Sequence, residues 1–184
     1  MNKRGRLTLV VSIVALIVLV ILLFLYFALL KPTNVKSSGI TFIENPAQGL
    51  TTEEAIASFN ESFVFYVLYS IKAYELHNPP LSNNDPEIEF RVDDDVYNAI
   101  IQNGIIKVAK RAIENPDAII ITTKMEGVKM VQNKDYIQES FASGKSGIDL
   151  KASKTTLFGK GYLNLYTELT GKSITGNIIR IYVG

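Results

Sequence analysis

Apolar and polar positions along the chain fall into three regimes. From Leu7 to Leu30 (LTLVVSIVALIVLVILLFLYFALL) nothing is charged, and nothing is more polar than Thr8, Ser12 and Tyr26. About 24 residues at a rise of 1.5 Å make roughly 36 Å of helix, enough to cross a hydrocarbon layer of about 30 Å with some tilt. The run therefore predicts a single transmembrane helix over residues 7–30, preceded by a basic leader at 1–6. Residues 31–50 contain Pro32, Gly39, Pro46 and Gly49 and read as a linker, with one short extended piece at Ile40 to Ile43. From Thr51 onward, apolar positions recur with periods of 3.6 or 2 between turn residues, which predicts one α+β domain over residues 51–184.

Within that domain, Thr51-Thr-Glu-Glu54 has the spacing of a capping box and predicts a helix start. Ile56, Phe59, Phe63, Val67, Ile71 and Tyr74 then continue one apolar face to about Leu76. The opposite side carries Phe65, Tyr66, Leu68 and Tyr69, so the helix is either buried against a sheet or lines a ligand cavity or a partner surface. Asn60-Glu-Ser62 is a glycosylation sequon inside this predicted helix. Three prolines between His77 and Pro86 make a loop, and Glu87 to Val92 alternates as a half-buried strand. Asn103-Gly104 between the apolar runs Val96 to Ile101 and Ile105 to Val108 signals a hairpin, although Val96 to Ile113 also fits a helical period. Ala118 to Thr123 reads as a central strand, Met125 to Gln132 and Tyr136 to Phe141 as short helices, and Ile148 to Leu150 as another strand. Thr155 to Leu169 reads as an amphipathic helix weakened by Gly159 and Gly161, and Ile178 to Val183 as a short apolar strand or tail.

Charge adds a direction. The chain has 19 basic and 18 acidic residues, but Lys3, Arg4 and Arg6 precede the apolar run, so the remainder is slightly acidic. That balance argues against nucleic acid as a partner. The three basic residues outweigh Lys31 and Lys36, which by the positive-inside rule places the N-terminus in the cytoplasm and the C-terminal domain outside the cell membrane. A cleaved secretory signal competes with this, but its apolar region would be about 7–15 residues and end at a small-x-small site. Ala28-Leu29-Leu30 is a poor one. The leader also resembles weakly that of a type IV pilin-like protein, though Val10 and Val11 stand where an acidic residue is usual and Pro32 interrupts the helix.

Catalytic chemistry is hard to place. There is no cysteine, and His77, the one histidine, sits beside two prolines. Gly144-Lys145-Ser146 matches the end of a phosphate loop, but Glu139 stands where that motif needs its first glycine. Asp93, Asp94 and Asp95 lack the alternate spacing and glycine of a calcium loop and read as a solvated turn. No metal, cofactor or catalytic residue is assigned.

From Asp117 onward the order of features resembles the sterol-carrier-type lipid transfer domain. It has a strand ending in threonine (Ala118 to Thr122), a short helix (Met125 to Gln132), Lys134 at a turn, and Phe141 three residues before Gly144-Lys145. The spacing fits without a gap from Asp117 to Lys145. Gly127 replaces a bulky apolar residue of the family's first helix, Asn133 replaces a glycine, and the segment after Gly144-Lys145 is several residues too long. The resemblance implies a mainly antiparallel sheet of about five strands covered by helices, with an apolar tunnel for an acyl or isoprenoid chain.

A pocket for such a tail needs apolar side chains on facing elements and few polar groups. Ile120, Val131, Phe141, Ile148, Leu157, Phe158 and Leu163 are the candidates to line it, and each is equally an ordinary core residue. The sequence thus leads to a membrane-anchored, non-catalytic module that binds or transfers a lipid or other apolar ligand at the bilayer. The alternative is a structural or assembly protein of the cell envelope, meeting a protein partner through Phe65, Tyr66 and Tyr69; an enzyme comes third.

Overall fold

In the computed structural model of the chain, residues 13–24, 43–79 and 82–172 are described. The chain divides into two units, Met1–Lys36 and Ser37–Gly184. In the first, residues 13–24 form helix α1, whose large apolar side chains are all exposed. This corrects the expected transmembrane span. At 1.5 Å per residue the described part of α1 spans about 18 Å, short of a hydrocarbon layer of about 30 Å. Among the described residues no helix is long and apolar enough to cross a membrane. The remaining parts of the expected span, the leader at 1–6, most of the linker and the tail at Ile178 to Val183 lie outside the described residues.

The second unit is α+β. Helices α2 (Thr52–Ala57) and α3 (Glu61–Ser70) and a 3-10 turn (Ala73–Glu75) come first, followed by strands β1 (Glu87–Val92), β2 (Asp95–Gln102), β3 (Ile105–Ala109) and β4 (Ala118–Thr122). Helices α4 (Lys124–Gln132) and α5 (Tyr136–Ala142), strand β5 (Gly147–Leu150), and helices α6 (Lys154–Lys160) and α7 (Tyr162–Thr170) complete it. The five strands form one sheet in the order β3-β2-β1-β4-β5.

The sheet is mixed, where a mainly antiparallel one was expected. Hairpins join β1 to β2 and β2 to β3, and β4 pairs with β5 antiparallel, but β1 and β4 run parallel with Ile88 opposite Ala118 and Phe90 opposite Ile120. Residues 110–117 carry the chain from the β3 edge across to β4, and such a crossover is what parallel neighbours require.

Local signals explain most element boundaries. Thr51 and Glu54 form the predicted capping box. The expected single helix from Thr51 to Leu76 instead breaks at Ser58 to Asn60, because Asn60 caps α3 by accepting from Ser62 N at 2.9 Å. The sequon asparagine is therefore an exposed helix cap rather than a mid-helix residue. The β2–β3 hairpin forms as one of the two readings of that stretch. Asn103 and Gly104 both have positive φ, 53° and 79°, the pattern that matches strand twist in a two-residue turn. Thr123 and Ser153 cap α4 and α6, while Gly161 at φ 86° divides the expected C-terminal helix into α6 and α7.

Alternation sorts the sheet into two faces. Ile88, Phe90, Val92, Tyr97, Ala99, Ile101, Ile106, Ala118, Ile120 and Ile148 join the helices in one apolar core. On the other face Glu89 is buried, paired with Arg91 at 2.7 Å, and accepts from Ile113 N of the crossover at 3.3 Å.

Candidate functional site

The seven apolar residues singled out in the sequence do not share one environment. Ile120 of β4, Val131 of α4, Phe141 of α5, Ile148 of β5 and Leu157 of α6 all belong to the continuous core, and Ile120 stands opposite Ile148 in the sheet. Leu163 on α7 is half-buried. Phe158 is 66% exposed, one residue from Leu157 at 1%. The core also admits Phe59, from the break between α2 and α3, whose ring lies against Gly127 of α4. Gly127 is thus matched by an aromatic ring in the space that a side chain would take. Phe59 stacks on Phe63 with centroids 5.0 Å apart and meets the Tyr97 ring edge-on at 6.3 Å.

Three polar clusters border this interior. In the first, the carboxylate of Glu126 on α4 accepts from Tyr136 Oη at 2.8 Å, Ser140 Oγ at 2.9 Å and Lys129 Nζ at 3.0 Å. A chain of hydroxyls runs on from Ser140 to Ser146 at 2.8 Å and from Ser146 to Thr122 at 2.7 Å, all buried. Burial pushes the Glu126 carboxyl up, but the three donated hydrogen bonds outweigh it and hold the group below its ordinary value. Lys145 donates to Tyr136 Oη at 3.0 Å. Gly144-Lys145-Ser146 therefore serves as a helix exit and network member. Its Lys145 and Ser146 amides both donate to Ser140 O, so neither is turned toward a phosphate.

The second cluster ties the C-terminal helices to the sheet. Lys160, 1% exposed, donates to Asp117 Oδ2 at 2.8 Å and to Asp85 O at 2.9 Å. The same carboxylate oxygen accepts from Tyr162 Oη at 3.0 Å and Glu87 N at 2.9 Å. Burial, with the Asp117 charge behind it, pushes the Tyr162 phenol well above its ordinary value. His77 is exposed and takes no part in either cluster; its amide donates to Lys160 O at 3.2 Å.

The third cluster absorbs the aspartate run. Asp93 Oδ2 accepts from Lys124 N at 3.0 Å, and Asp95 bridges Lys110 at 2.6 Å and Lys124 at 2.9 Å. These hydrogen bonds from Lys110 and then Lys124 hold Asp95 below its ordinary value. Lys110 Nζ stands 5.8 Å from the centroid of the Tyr97 ring. Tyr97 is fully buried, and its hydroxyl has no hydrogen-bond partner among the described residues. The sequence marked none of the three clusters as a unit.

No family model matches the chain, and no curated protein matches it. Among solved structures it is weakly similar in fold to sterol carrier protein 2 like 2 from Aedes aegypti. That similarity has 16% identity and a TM-score of 0.29, over 47% of this chain and 84% of that one. It is also similar to a stereoselective inverting sec-alkylsulfatase from Pseudomonas sp., with 13% identity and a TM-score of 0.29, over 61% of this chain and 16% of that one. At those TM-scores neither similarity bears on function.

Proposed function

We propose that the α+β unit binds a lipid or other apolar ligand non-covalently and releases it unchanged. The observation that carries the reading is the placement of the apolar candidates. Five of them, drawn from β4, β5, α4, α5 and α6, meet in one continuous apolar interior, while Phe158 on α6 remains 66% exposed beside buried Leu157. On this reading Phe158 is where the ligand's apolar part meets the protein surface.

The test is native mass spectrometry of the purified full chain, with organic extraction and identification of what stays bound. The expected result is a stoichiometric lipid that is lost in Phe158→Glu. Because Phe158 is exposed, that change should leave stability within about 0.5 kcal/mol. Phe141, 9% exposed, is unsuitable for the same test, since a charge there would unfold the core. A chain that is empty and takes up no fluorescent fatty acid or sterol sinks the proposal.

A second reading, a surface for a protein partner, is favoured by the aromatic run on α3. Phe65 stacks on Tyr69 at 6.3 Å, Tyr69 lies 5.1 Å from Tyr74, and Tyr69 is 42% exposed. Phe65 and Tyr66 are half-buried beside it.

A further inference from the structure

Tyr97 is the one described residue whose buried side-chain polar atom has no partner among the described residues. Its ring is packed, with Phe59 edge-on at 6.3 Å and Lys110 over it at 5.8 Å. Buried hydroxyls are almost always paired, and each exception calls for a reason. The surroundings narrow what could pair with this one. Lys110 and Lys124 both reach the surface, with side chains 52% and 33% exposed, but both are engaged by Asp95. Glu61, at the start of α3, is near enough to act on the same group through its charge. Two cations set against two carboxylates leave no surplus positive charge for an anionic head, and an ion taken into such a place without a free counter-charge is strongly disfavoured. Burial, together with the Asp95 charge, pushes the Tyr97 phenol above its ordinary value, so the hydroxyl keeps its proton and can donate. On the apolar side it is flanked by Phe59, itself stacked on Phe63.

Resting on the apolar-ligand reading above, we propose that Tyr97 Oη is the docking point for a single uncharged oxygen, an alcohol or an ester carbonyl, at the end of an otherwise apolar ligand. The class is then defined by two exclusions: a pure hydrocarbon leaves the hydroxyl unpaired, and a carboxylate or phosphate finds no free cation. Phe59 and Phe63 are the apolar surface beside the docked oxygen. Phe59 lies on the short connection between α2 and α3 rather than inside a helix.

The test is displacement of a bound fluorescent hydrocarbon from the full chain by dodecanol, dodecyl chloride and dodecanoate, three chains that differ only at the head. Dodecanol should compete about threefold to tenfold better than dodecyl chloride, the value of one neutral hydrogen bond, and better than dodecanoate. Tyr97→Phe should erase the preference for the alcohol and leave the chloride unchanged. Because the hydroxyl has no partner among the described residues, Tyr97→Phe should melt no lower than the parent; a variant that unfolds shows that a partner exists and overturns the assignment. Equal competition by alcohol and chloride, tightest competition by dodecanoate, or a preference that survives in Tyr97→Phe also overturns it while leaving the apolar-ligand reading intact. A chain displaced by none of the three and holding no probe overturns both.

Discussion

Phe59 occupies the space that Gly127 leaves. A Cβ at position 127 would stand 2.8 Å from Phe59 Cε2 and 3.1 Å from Cζ. Phe59 cannot retreat freely, because it is stacked on Phe63 and set against Tyr97. Gly127→Ala therefore forces a packed ring to shift, an overpacking cost of about 1–3 kcal/mol that exceeds the gain of up to about 1 kcal/mol from replacing a helical glycine. Urea unfolding should show a net loss near 1 kcal/mol, and the loss should shrink when Phe59 is first cut to Leu. A Gly127→Ala variant more stable than its parent would contradict the packing described.

The pair Lys160 and Asp117 makes a stronger prediction. Their side chains are 1% and 8% exposed, so neither charge has water to fall back on. Removing one partner leaves the other buried and uncompensated, which costs about 3–5 kcal/mol, whereas removing both charges together leaves no unpaired ion and recovers part of it. Asp117→Asn and Lys160→Met should each lower the unfolding midpoint sharply. The double variant should be more stable than the sum of the two predicts. Additive losses would show that the ion pair is not the source of the effect.

The β2–β3 turn is a local test of the backbone. Gly104 sits at φ 79° after Asn103 at φ 53°. An alanine in the left-handed region costs about 1–2 kcal/mol, so Gly104→Ala should lose that much while Asn103→Gly changes stability little. Chemical denaturation of both variants decides it. Equal effects at the two positions would mean that the turn can change type at no cost.

These contacts also show what could be read from the chain beforehand. The capping box at Thr51, the Asn103-Gly104 hairpin, the Ala118 to Thr122 strand and the helices on either side of Asn133 were legible because each is set by neighbours a few residues apart. The break at Ser58 to Asn60 was not, because Ile56, Phe59 and Phe63 keep a helical spacing through it and Asn60 alone marks the new start. Charge-free residues from Leu7 to Leu30 promised one long helix, yet the described part of that run, residues 13–24, is too short to cross a membrane. The polar clusters were hidden for a different reason. Glu126, Ser140, Ser146 and Thr122 look like surface residues in sequence, and Lys160 and Asp117 are 43 positions apart. That Leu157 turns inward while Phe158 turns outward depends on the phase of a two-turn helix, which periodicity alone does not fix.

The Glu126 cluster adds a pH dependence whose sign can be worked out. The folded protein holds this carboxyl below its ordinary 4.5, so between the folded value and about 4.5 the unfolded chain binds more protons, and stability rises with pH. The contribution is fully present above that window and is lost as the pH falls through the folded value. Glu126→Gln resembles the protonated state, since it removes the charge but keeps the shape. It should cost about 1.5–3 kcal/mol at pH 7, the range for hydrogen bonds to a charged group, and much less at pH 2 to 3. Asp95 and Glu54 are shifted in the same direction, so acid will destabilise the parent and the variant alike, and the difference between them isolates Glu126. Thermal melts of both proteins across pH 2 to 7 measure that difference. A gap in Tm that stays constant over the whole range would mean that the ionised carboxylate contributes nothing to holding α4, α5 and the Thr122 end of β4 together.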